Sequence, residues 1–207
     1  MSPAATRARG ARDEILDAAV DRIATEGIDG VRIARIAMDA GVSTSLVHYH
    51  FESREALLAE ALEHSFELAG DVRIGEDDGD APSHAHRLAA MVDQCLPYPG
   101  EPERDWLLWV ELWVRAARRP ELRQTAARLY ERMHRWLTDA IAAGAAAGEF
   151  AECDADALAD RVLAMLDGLG VRALLRDPAV PLDWARGEVW RTLAGELGLD
   201  PEMPPLR

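Results

Sequence analysis

The stretch GVSTSLVHYHF, residues 41–51, concentrates side chains that donate hydrogen bonds. Its donors are three hydroxyl groups followed closely by three ring side chains, Ser43, Thr44, Ser45, His48, Tyr49 and His50. Hydroxyl, phenol and imidazole groups of this kind donate to phosphate oxygens and to the edges of bases. The stretch therefore predicts a surface that contacts a nucleic acid.

Two other uses of these residues are open. The rings could close a small helical core, which we favour for Phe51, but three polar-tipped rings in succession cannot all face inward, so at least two should be exposed. His48 and His50 could also bind a metal ion. At a spacing of i, i+2 on a helix their imidazoles point apart, as do those of His84 and His86, so we expect no metal and no cofactor.

The elements around this stretch are predicted to be helical. Apolar residues recur at helical spacing almost throughout, and no pair of alternating runs is joined by a hairpin turn. The expected helices cover about 12–26, 33–40, 44–50, 54–71, 84–96, 103–117, 121–147, 155–176 and 183–198. Ser53 should cap the fourth helix, and the polar segment 75–83 should be a mobile loop. The fold class is all-α, with about nine helices.

The second and third helices have the layout of a helix-turn-helix. Gly41, Val42 and Ser43 form the turn, and the small or branched residues Ala37 and Val47 let the helices pack at a steep angle. Backbone N–H groups at the start of the third helix favour a phosphate. This position again points to DNA as the partner.

Composition limits the class of protein. The net charge is −14, yet residues 1–54 carry seven arginines against eight acids, so most of the negative charge lies elsewhere. No apolar stretch follows the first arginines, and no segment approaches the roughly 18 apolar residues of a membrane span. We expect a cytoplasmic protein that does not bind membranes, with Cys95 and Cys153 as reduced thiols.

The segment VRIARIAMDAGVSTSLVHYHFESREALLAEAL resembles the DNA-binding module of the TetR family of transcriptional regulators, with a match from about residue 12 to 66. The resemblance implies a three-helix DNA-binding domain over 1–55 and an effector-sensing and dimerisation domain over 56–207, with helix four from 54 linking them. The resemblance also implies that the recognition helix begins at Ser43 to Ser45.

The same resemblance assigns DNA contacts to individual residues. It places His48, Tyr49 and His50 where they meet phosphates or bases, and Arg54 at a phosphate-contacting position. His48 departs from the more usual tyrosine. Arg32 stands where a threonine or serine commonly caps helix two, so a phosphate contact is expected of it in place of the cap.

The second part of the chain resembles the regulatory domain of the BetI-like branch, in RDWLLWVELWVRAARRPELR (104–123) and LDGLGVRALL (166–175). Trp106, Trp109 and Trp113 share one helix face, which indicates either plain core or the wall of an effector pocket. The expected pocket residues are Cys95, Trp109, Trp113, Tyr130, Met133, His134 and Met165. A cationic ligand could use the ring faces.

The last two long helices are predicted to form a homodimer interface. Their apolar stripes consist of Leu158, Val162, Leu166, Leu169, Ala173, Val189, Trp190 and Leu193. Gly168 and Gly170, costly inside a helix, fit a close approach of another helix. The alternative is that the stripe packs only within the subunit.

These features together predict a homodimeric repressor that reads a palindromic operator in double-stranded DNA, with half-sites about 34 Å apart, and that an unknown small-molecule effector releases. One alternative is a ligand-independent regulator. Another is a helical small-molecule-binding protein or enzyme, but the sequence has no nucleophile with a base, no glycine-rich phosphate loop and no HExxH or CxxC pattern. We therefore expect no enzyme.

Overall fold

The structure is a computed structural model that describes residues 10–71 and 83–204. Side chains are described for all of these residues except 66–71, 101 and 121. Within these residues the chain forms nine helices and no strand, so the predicted all-α class is confirmed. The helices are α1 (Ala11–Gly30), α2 (Ile33–Asp39), α3 (Thr44–His50), α4 (Arg54–Asp71), α5 (His84–Gln94), α6 (Glu101–Ala116), α7 (Pro120–Ala146), α8 (Ala155–Leu174) and α9 (Leu182–Leu197).

Local signals set the helix ends close to where the sequence predicts them. The Ser53 hydroxyl accepts a hydrogen bond from the Ala56 N–H group over 3.0 Å, as expected of an N-cap. The backbone leaves the helical conformation at Gly27, with φ of +66°, but three further residues resume a helical turn. Of the loop predicted at 75–83, only Ser83 lies within the described residues, where it caps α5.

The chain divides into two compact units. The first contains α1 to α4 together with residues 107–126 of α6 and α7. The second contains α5, α8, α9 and the remaining parts of α6 and α7. The division of the chain by function at residues 55 and 56 stays a prediction.

The core of the first unit fixes the three N-terminal helices against α4. Its buried side chains include Ile15, Leu16, Ala19, Ile23, Ile36, Ala37, Val47, Phe51, Leu57, Leu58, Ala61 and Leu62. These residues recur on one face of each helix, which is the amphipathic pattern that drives helix packing in water. The short helices α2 and α3 are too short to be stable alone and depend on this packing.

The core of the second unit is built by α5, α7, α8 and α9. Its buried side chains include Leu88, Met91, Val92, Leu96, Leu137, Ile141, Phe150, Leu158, Val162, Leu166, Val189, Trp190, Leu193 and Leu197. Trp106 also belongs to this unit, and its ring lies directly against the backbone of α8 at Gly170. A glycine is required there because a Cβ atom would lie 2.1 Å from Cζ2 of the tryptophan.

This close approach predicts a stability change. Gly170→Ala should lower the free energy of unfolding by about 1 to 3 kcal/mol, because the ring must leave its position. Chemical denaturation at a fixed protein concentration measures the change. Trp106→Leu in the same chain should recover part of the loss in a double-mutant cycle. An alanine variant that unfolds at the wild-type denaturant concentration contradicts the packing of Trp106 on α8.

Candidate nucleic-acid interface

The turn between α2 and α3 is closed by backbone hydrogen bonds around Gly41. Gly41 has φ of +66°, a conformation that glycine adopts readily and other residues rarely do. The N–H group of Val42 donates to the Ala37 carbonyl over 2.9 Å, and that of Gly41 donates to the Met38 carbonyl over 3.2 Å. This Schellman arrangement ends α2 and redirects the chain. The glycine turn predicted here is confirmed.

The inner side of α3 is fixed by packing and by a cap. Val47 has no exposed surface and Phe51 is 3% exposed, so the prediction that Phe51 turns inward is confirmed. The guanidinium carbon of Arg12 lies 5.6 Å from the centroid of the Phe51 ring, in a cation–π contact. The Ser43 hydroxyl caps α3 by accepting from the Leu46 N–H group over 3.2 Å. The helix therefore has a fixed orientation.

The outer side of α3 carries the predicted donors. Ser43, Thr44, Ser45 and His48 are exposed, and Tyr49 is 81% exposed. His50 is half-buried, with its ring centroid 5.2 Å from that of Tyr49. The expectation that at least two of the three rings are exposed is confirmed. We refer to these six side chains together with the exposed Arg32 as the recognition surface, whose DNA contacts stay a prediction.

The two arginines assigned to phosphate contacts have different surroundings. Arg32 is exposed at the N-cap of α2, and its side chain makes no capping hydrogen bond there. Arg54 is half-buried, and its Nη2 donates to the Ile28 carbonyl. Its Nε atom is buried. Part of the Arg54 guanidinium is therefore committed to closing the end of α1, although a phosphate contact through its remaining N–H groups stays a prediction.

Ion pairs hold α2 against α1 beside the recognition surface. Arg22 pairs with Glu26 one turn along and with Asp39 at the end of α2, and Arg35 pairs with Glu26 over 3.2 Å. The hydrogen bond from Arg22 lowers the pKa of both Asp39 and Glu26 below the usual range. These carboxylates keep their charge but are matched by arginines, which limits their repulsion of a phosphate backbone.

The part of α6 that belongs to the first unit contacts the end of α1. Arg115 Nη2 lies 2.9 Å from Asp29 Oδ1, and its hydrogen bond lowers the pKa of that carboxyl. A Cβ atom at Gly27 would lie 3.1 Å from Oε1 of Glu111. In the turn after α6, Arg119 Nη1 lies 3.9 Å from Oε1 of Glu55 at the start of α4. The end of α6 and the turn that follows it therefore contact the end of α1 and the start of α4.

The residues predicted to line an effector pocket are divided between the two units. Trp109 and Trp113 belong to the first unit, with ring centroids 5.9 Å apart. The other five, Cys95, Tyr130, Met133, His134 and Met165, belong to the second. Within the second unit, Cys95, Met133 and Met165 pack against the apolar core, and His134 Nε2 lies 3.4 Å from Oδ1 of Asp160. A pocket formed by these seven side chains stays a prediction.

One polar residue of the second unit was missed by the sequence reasoning. Asp167 on α8 is half-buried and accepts a hydrogen bond from the Tyr130 hydroxyl over 2.6 Å. Burial raises the pKa of its carboxyl, partly offset by this hydrogen bond. The sequence signal for this residue is an acid inside the otherwise apolar run MLDGLG. Its hydrogen-bond partner Tyr130 lies 37 residues away in the sequence, so the pair is not evident from the run itself.

The side chains predicted to form the dimer interface are mostly buried within the single chain. Leu158, Val162, Leu166, Ala173, Val189, Trp190 and Leu193 are at most 7% exposed, and Leu169 is half-buried. These buried side chains pack within the subunit and leave little surface to bury against a second copy. Whether they form a dimer interface, and dimerisation itself, stay predictions.

Two further features of the described ranges bear on function. No helix in residues 10–71 or 83–204 is long and apolar enough to cross a membrane. In the same ranges, no group of three or more histidine, cysteine or acidic side chains is arranged to hold a metal ion. The side chains of Cys95 and Cys153 are half-buried, and burial raises the pKa of the Cys153 thiol.

Comparison with protein families assigns both parts of the chain. Residues 15–61 match the model of bacterial regulatory proteins of the tetR family, and residues 84–198 match the C-terminal domain of BetI-type transcriptional repressors. The chain belongs to the TetR family. TetR-family proteins are transcriptional regulators rather than enzymes, so the family decides against the enzyme alternative.

Individual TetR-family relatives agree with this assignment. The HTH-type transcriptional regulator BetI of Brucella suis is 27% identical over 165 residues, which is 79% of this chain and 80% of the relative. The crystal structure of a regulator from Saccharomonospora viridis in complex with choline matches this chain at 32% sequence identity with a TM-score of 0.77. The match covers 90% of this chain and 97% of that regulator's chain. A TetR-family regulator from a Rhodococcus species has the same TM-score at 31% identity, with 90% and 98% covered.

The exposed guanidinium of Arg32 gives a prediction for a TetR-family DNA complex. Arg32→Ala should weaken DNA binding about equally on different sequences and reduce the slope of log K against log salt by about 1 for each bound chain, because one phosphate contact is lost. Fluorescence anisotropy across a salt series measures the slope. Arg135→Ala, at an exposed site on α7, is the matched control. An unchanged slope excludes a phosphate contact by Arg32.

Proposed function

We propose that the chain is a homodimeric repressor that binds a palindromic operator and leaves it when a small organic cation binds. The observation that carries this proposal is the recognition surface. Its side chains are exposed apart from the half-buried His50, while Val47 and Phe51 fix α3 from the inner side. A helix presented in this way fits the major groove, which admits one α-helix.

Symmetry determines how the operator is read. Two copies of α3 in a dimer enter successive major grooves on one side of the duplex, about 34 Å apart or a multiple of that distance. His48 and Tyr49 then contact bases or phosphates, and Arg32 contacts a phosphate. The Ser43 hydroxyl caps α3, so we assign base contacts to Thr44 and Ser45 in preference to Ser43. Such a regulator acts in the cytoplasm, where bacterial DNA is found.

The dimer interface is proposed to use the exposed sides of α8 and α9. We refer to the exposed residues Ala164, Gly168, Leu175, Trp184, Arg191 and Gly195 as the outer face. They recur at helical spacing, and a Cβ atom at Gly168 or Gly195 would meet nothing within 4 Å in the single chain. Leu175 and Trp184 are 74% and 45% exposed, so this face offers apolar side chains that a partner could bury. Two such faces form a four-helix interface with two-fold symmetry.

A test of the interface uses one substitution on the outer face. Gly168→Arg should convert the dimer to a monomer in sedimentation at micromolar concentration, because the new side chain stands where the partner helix approaches. Ala142→Arg, at an exposed alanine of α7, is the control and should leave the dimer intact. A wild-type chain that sediments as a monomer contradicts the dimer proposal.

The effector class is proposed from a relative and from the chain's own chemistry. The regulator from Saccharomonospora viridis is in complex with choline, a quaternary ammonium alcohol, and is 32% identical to this chain. The second unit of this chain combines a half-buried carboxylate, Asp167, with the aromatic side chains Tyr130 and Trp106. Carboxylates and aromatic faces are the groups that bind organic cations. Choline is therefore the first candidate effector.

Release from DNA is proposed to pass through α6 and α4. The pair of Arg115 and Asp29 and the contact of Glu111 with Gly27 join α6 to the end of α1, and α4 packs along α1. An effector that favours one position of α6 thereby changes the fraction of molecules whose DNA-binding helices are placed to bind the operator. Coupling of about 1 to 3 kcal/mol is typical of such systems.

The proposal is tested by selecting genomic DNA fragments with the purified protein, with and without choline, at one salt concentration. We expect enrichment of a palindrome and loss of enrichment with choline. Enrichment that neither choline nor the metabolites of neighbouring operons alter favours the ligand-independent regulator. Failure to enrich any sequence in either condition contradicts the DNA-binding proposal.

A further inference from the structure

Asp167 is a carboxylate whose negative charge has no matching positive charge in the described part of the chain. Its Oδ2 atom accepts from the Tyr130 hydroxyl over 2.6 Å, and no arginine or histidine of the described residues forms an ion pair with it. The side chain is half-buried, and burial raises the pKa of its carboxyl. Acids with these surroundings occur preferentially at functional sites.

The aromatic groups around Asp167 are held in place. Trp106 packs against α8 at Gly170, three residues and about one helical turn beyond Asp167 on the same face. Its Nε1 atom donates to the Cys95 carbonyl over 3.2 Å, which fixes the orientation of the indole. Tyr130 occupies one carboxylate oxygen of Asp167, and Oδ1 has no hydrogen-bond partner among the described residues.

On the basis of the proposed function, we infer that Asp167 is the counter-charge that binds the cationic nitrogen of the effector, with Tyr130 as the residue that positions its carboxylate. A bound cation compensates the charge that burial disfavours. The hydrogen bond from Tyr130 fixes the direction of the free oxygen. The indole of Trp106, one turn away, adds an electron-rich surface suited to a quaternary ammonium group.

The inference requires that charge determines ligand affinity. The probes are choline and its neutral carbon analogue 3,3-dimethylbutan-1-ol, titrated into the full chain by calorimetry. Wild-type protein should bind choline at least about tenfold more tightly than the analogue. Asp167→Asn should remove this preference, with at least a tenfold loss for choline and little change for the analogue. Tyr130→Phe should cause a smaller loss of about three- to tenfold.

The variants are chosen so that they fold. Asparagine has nearly the shape of aspartate, and its amide oxygen can still accept from Tyr130. Because burial disfavours the charged carboxylate, Asp167→Asn should unfold at no lower denaturant concentration than wild type at neutral pH. The matched control is Asp139→Asn, which removes a negative charge from an exposed position of α7 in the same unit and should leave choline affinity unchanged.

Two results would overturn the inference. Equal choline affinity of wild type and Asp167→Asn means that Asp167 is not the counter-charge, although choline can remain the effector. Wild-type protein that binds choline no more tightly than the neutral analogue means that the chain has no site selective for the cation. Operator binding is measured separately without ligand, so neither result depends on whether the chain binds DNA.

Discussion

Tyr49→Ala should lower affinity for the selected operator by about five- to 150-fold, which corresponds to the 1 to 3 kcal/mol typical of a residue that contacts DNA directly. Tyr49 is 81% exposed in the free chain, so its ring makes few contacts that stabilise the fold. The ring can instead contact the operator, and its hydroxyl can donate to a phosphate or a base. Anisotropy titrations at a single salt concentration measure the change.

Two controls separate recognition by Tyr49 from folding. Thermal unfolding of Tyr49→Ala should match that of wild type within about 0.5 kcal/mol, as expected for an exposed position. Tyr49→Phe keeps the ring and isolates the hydroxyl, so it should lose less affinity than the alanine variant. The assignment of Tyr49 to the DNA interface is refuted if alanine leaves operator affinity unchanged in a folded protein.

Asp93→Ala should destabilise the second unit by about 3 to 5 kcal/mol, the range for breaking one side of a buried ion pair. Asp93 and Arg186 have side chains that are only 10% and 18% exposed. Arg186 Nη2 donates to Asp93 Oδ2 over 3.0 Å and to the Pro204 carbonyl over 3.2 Å. Removal of the carboxylate leaves the guanidinium without its counter-charge in a poorly hydrated position.

Chemical denaturation at a fixed protein concentration measures the effect of Asp93→Ala, because the stability of a chain that dimerises would depend on its concentration. Glu131→Ala is the control, because Glu131 and its partner Arg135 on α7 are 66% and 64% exposed. An exposed pair of this kind contributes about 0.3 to 0.5 kcal/mol. If the two variants lose the same small amount, the pair of Asp93 and Arg186 is more hydrated than its burial indicates.

A further readout of the same variant is the titration of Tyr98. Burial, and then the negative charge of Asp93, raises the pKa of the Tyr98 phenol to about 12. Removal of Asp93 should therefore lower that pKa while the effect of burial persists. Ultraviolet titration of the phenolate absorbance in the folded protein measures the difference.

The features predicted correctly from the sequence are those that depend on neighbours in the chain. Gly41 adopts φ of +66° and ends α2 because of its own conformational freedom, and Ser53 caps α4 through a bond to Ala56 three residues away. The inward position of Phe51 follows from its lack of a polar tip. The helix-turn-helix and its exposed donors could therefore be derived from a stretch of about twenty residues.

The features that the sequence could not supply depend on partners far along the chain. Apolar periodicity in α8 predicts that Leu158 and Val162 are buried, but not whether a second subunit or the same subunit buries them. Arg54 donates to the Ile28 carbonyl 26 residues away. Tyr130 and Asp167 are 37 residues apart. No local pattern indicates such pairs.

The most direct test of the account changes the spacing of the operator. Five base pairs, about half a helical turn, are inserted between the half-sites of the selected palindrome, and binding of wild-type protein is compared on both duplexes at one salt concentration. A dimer that presents two copies of α3 to one side of DNA should lose most of its specific affinity for the extended duplex. Equal affinity for the two duplexes contradicts a symmetric dimer that reads DNA through α3.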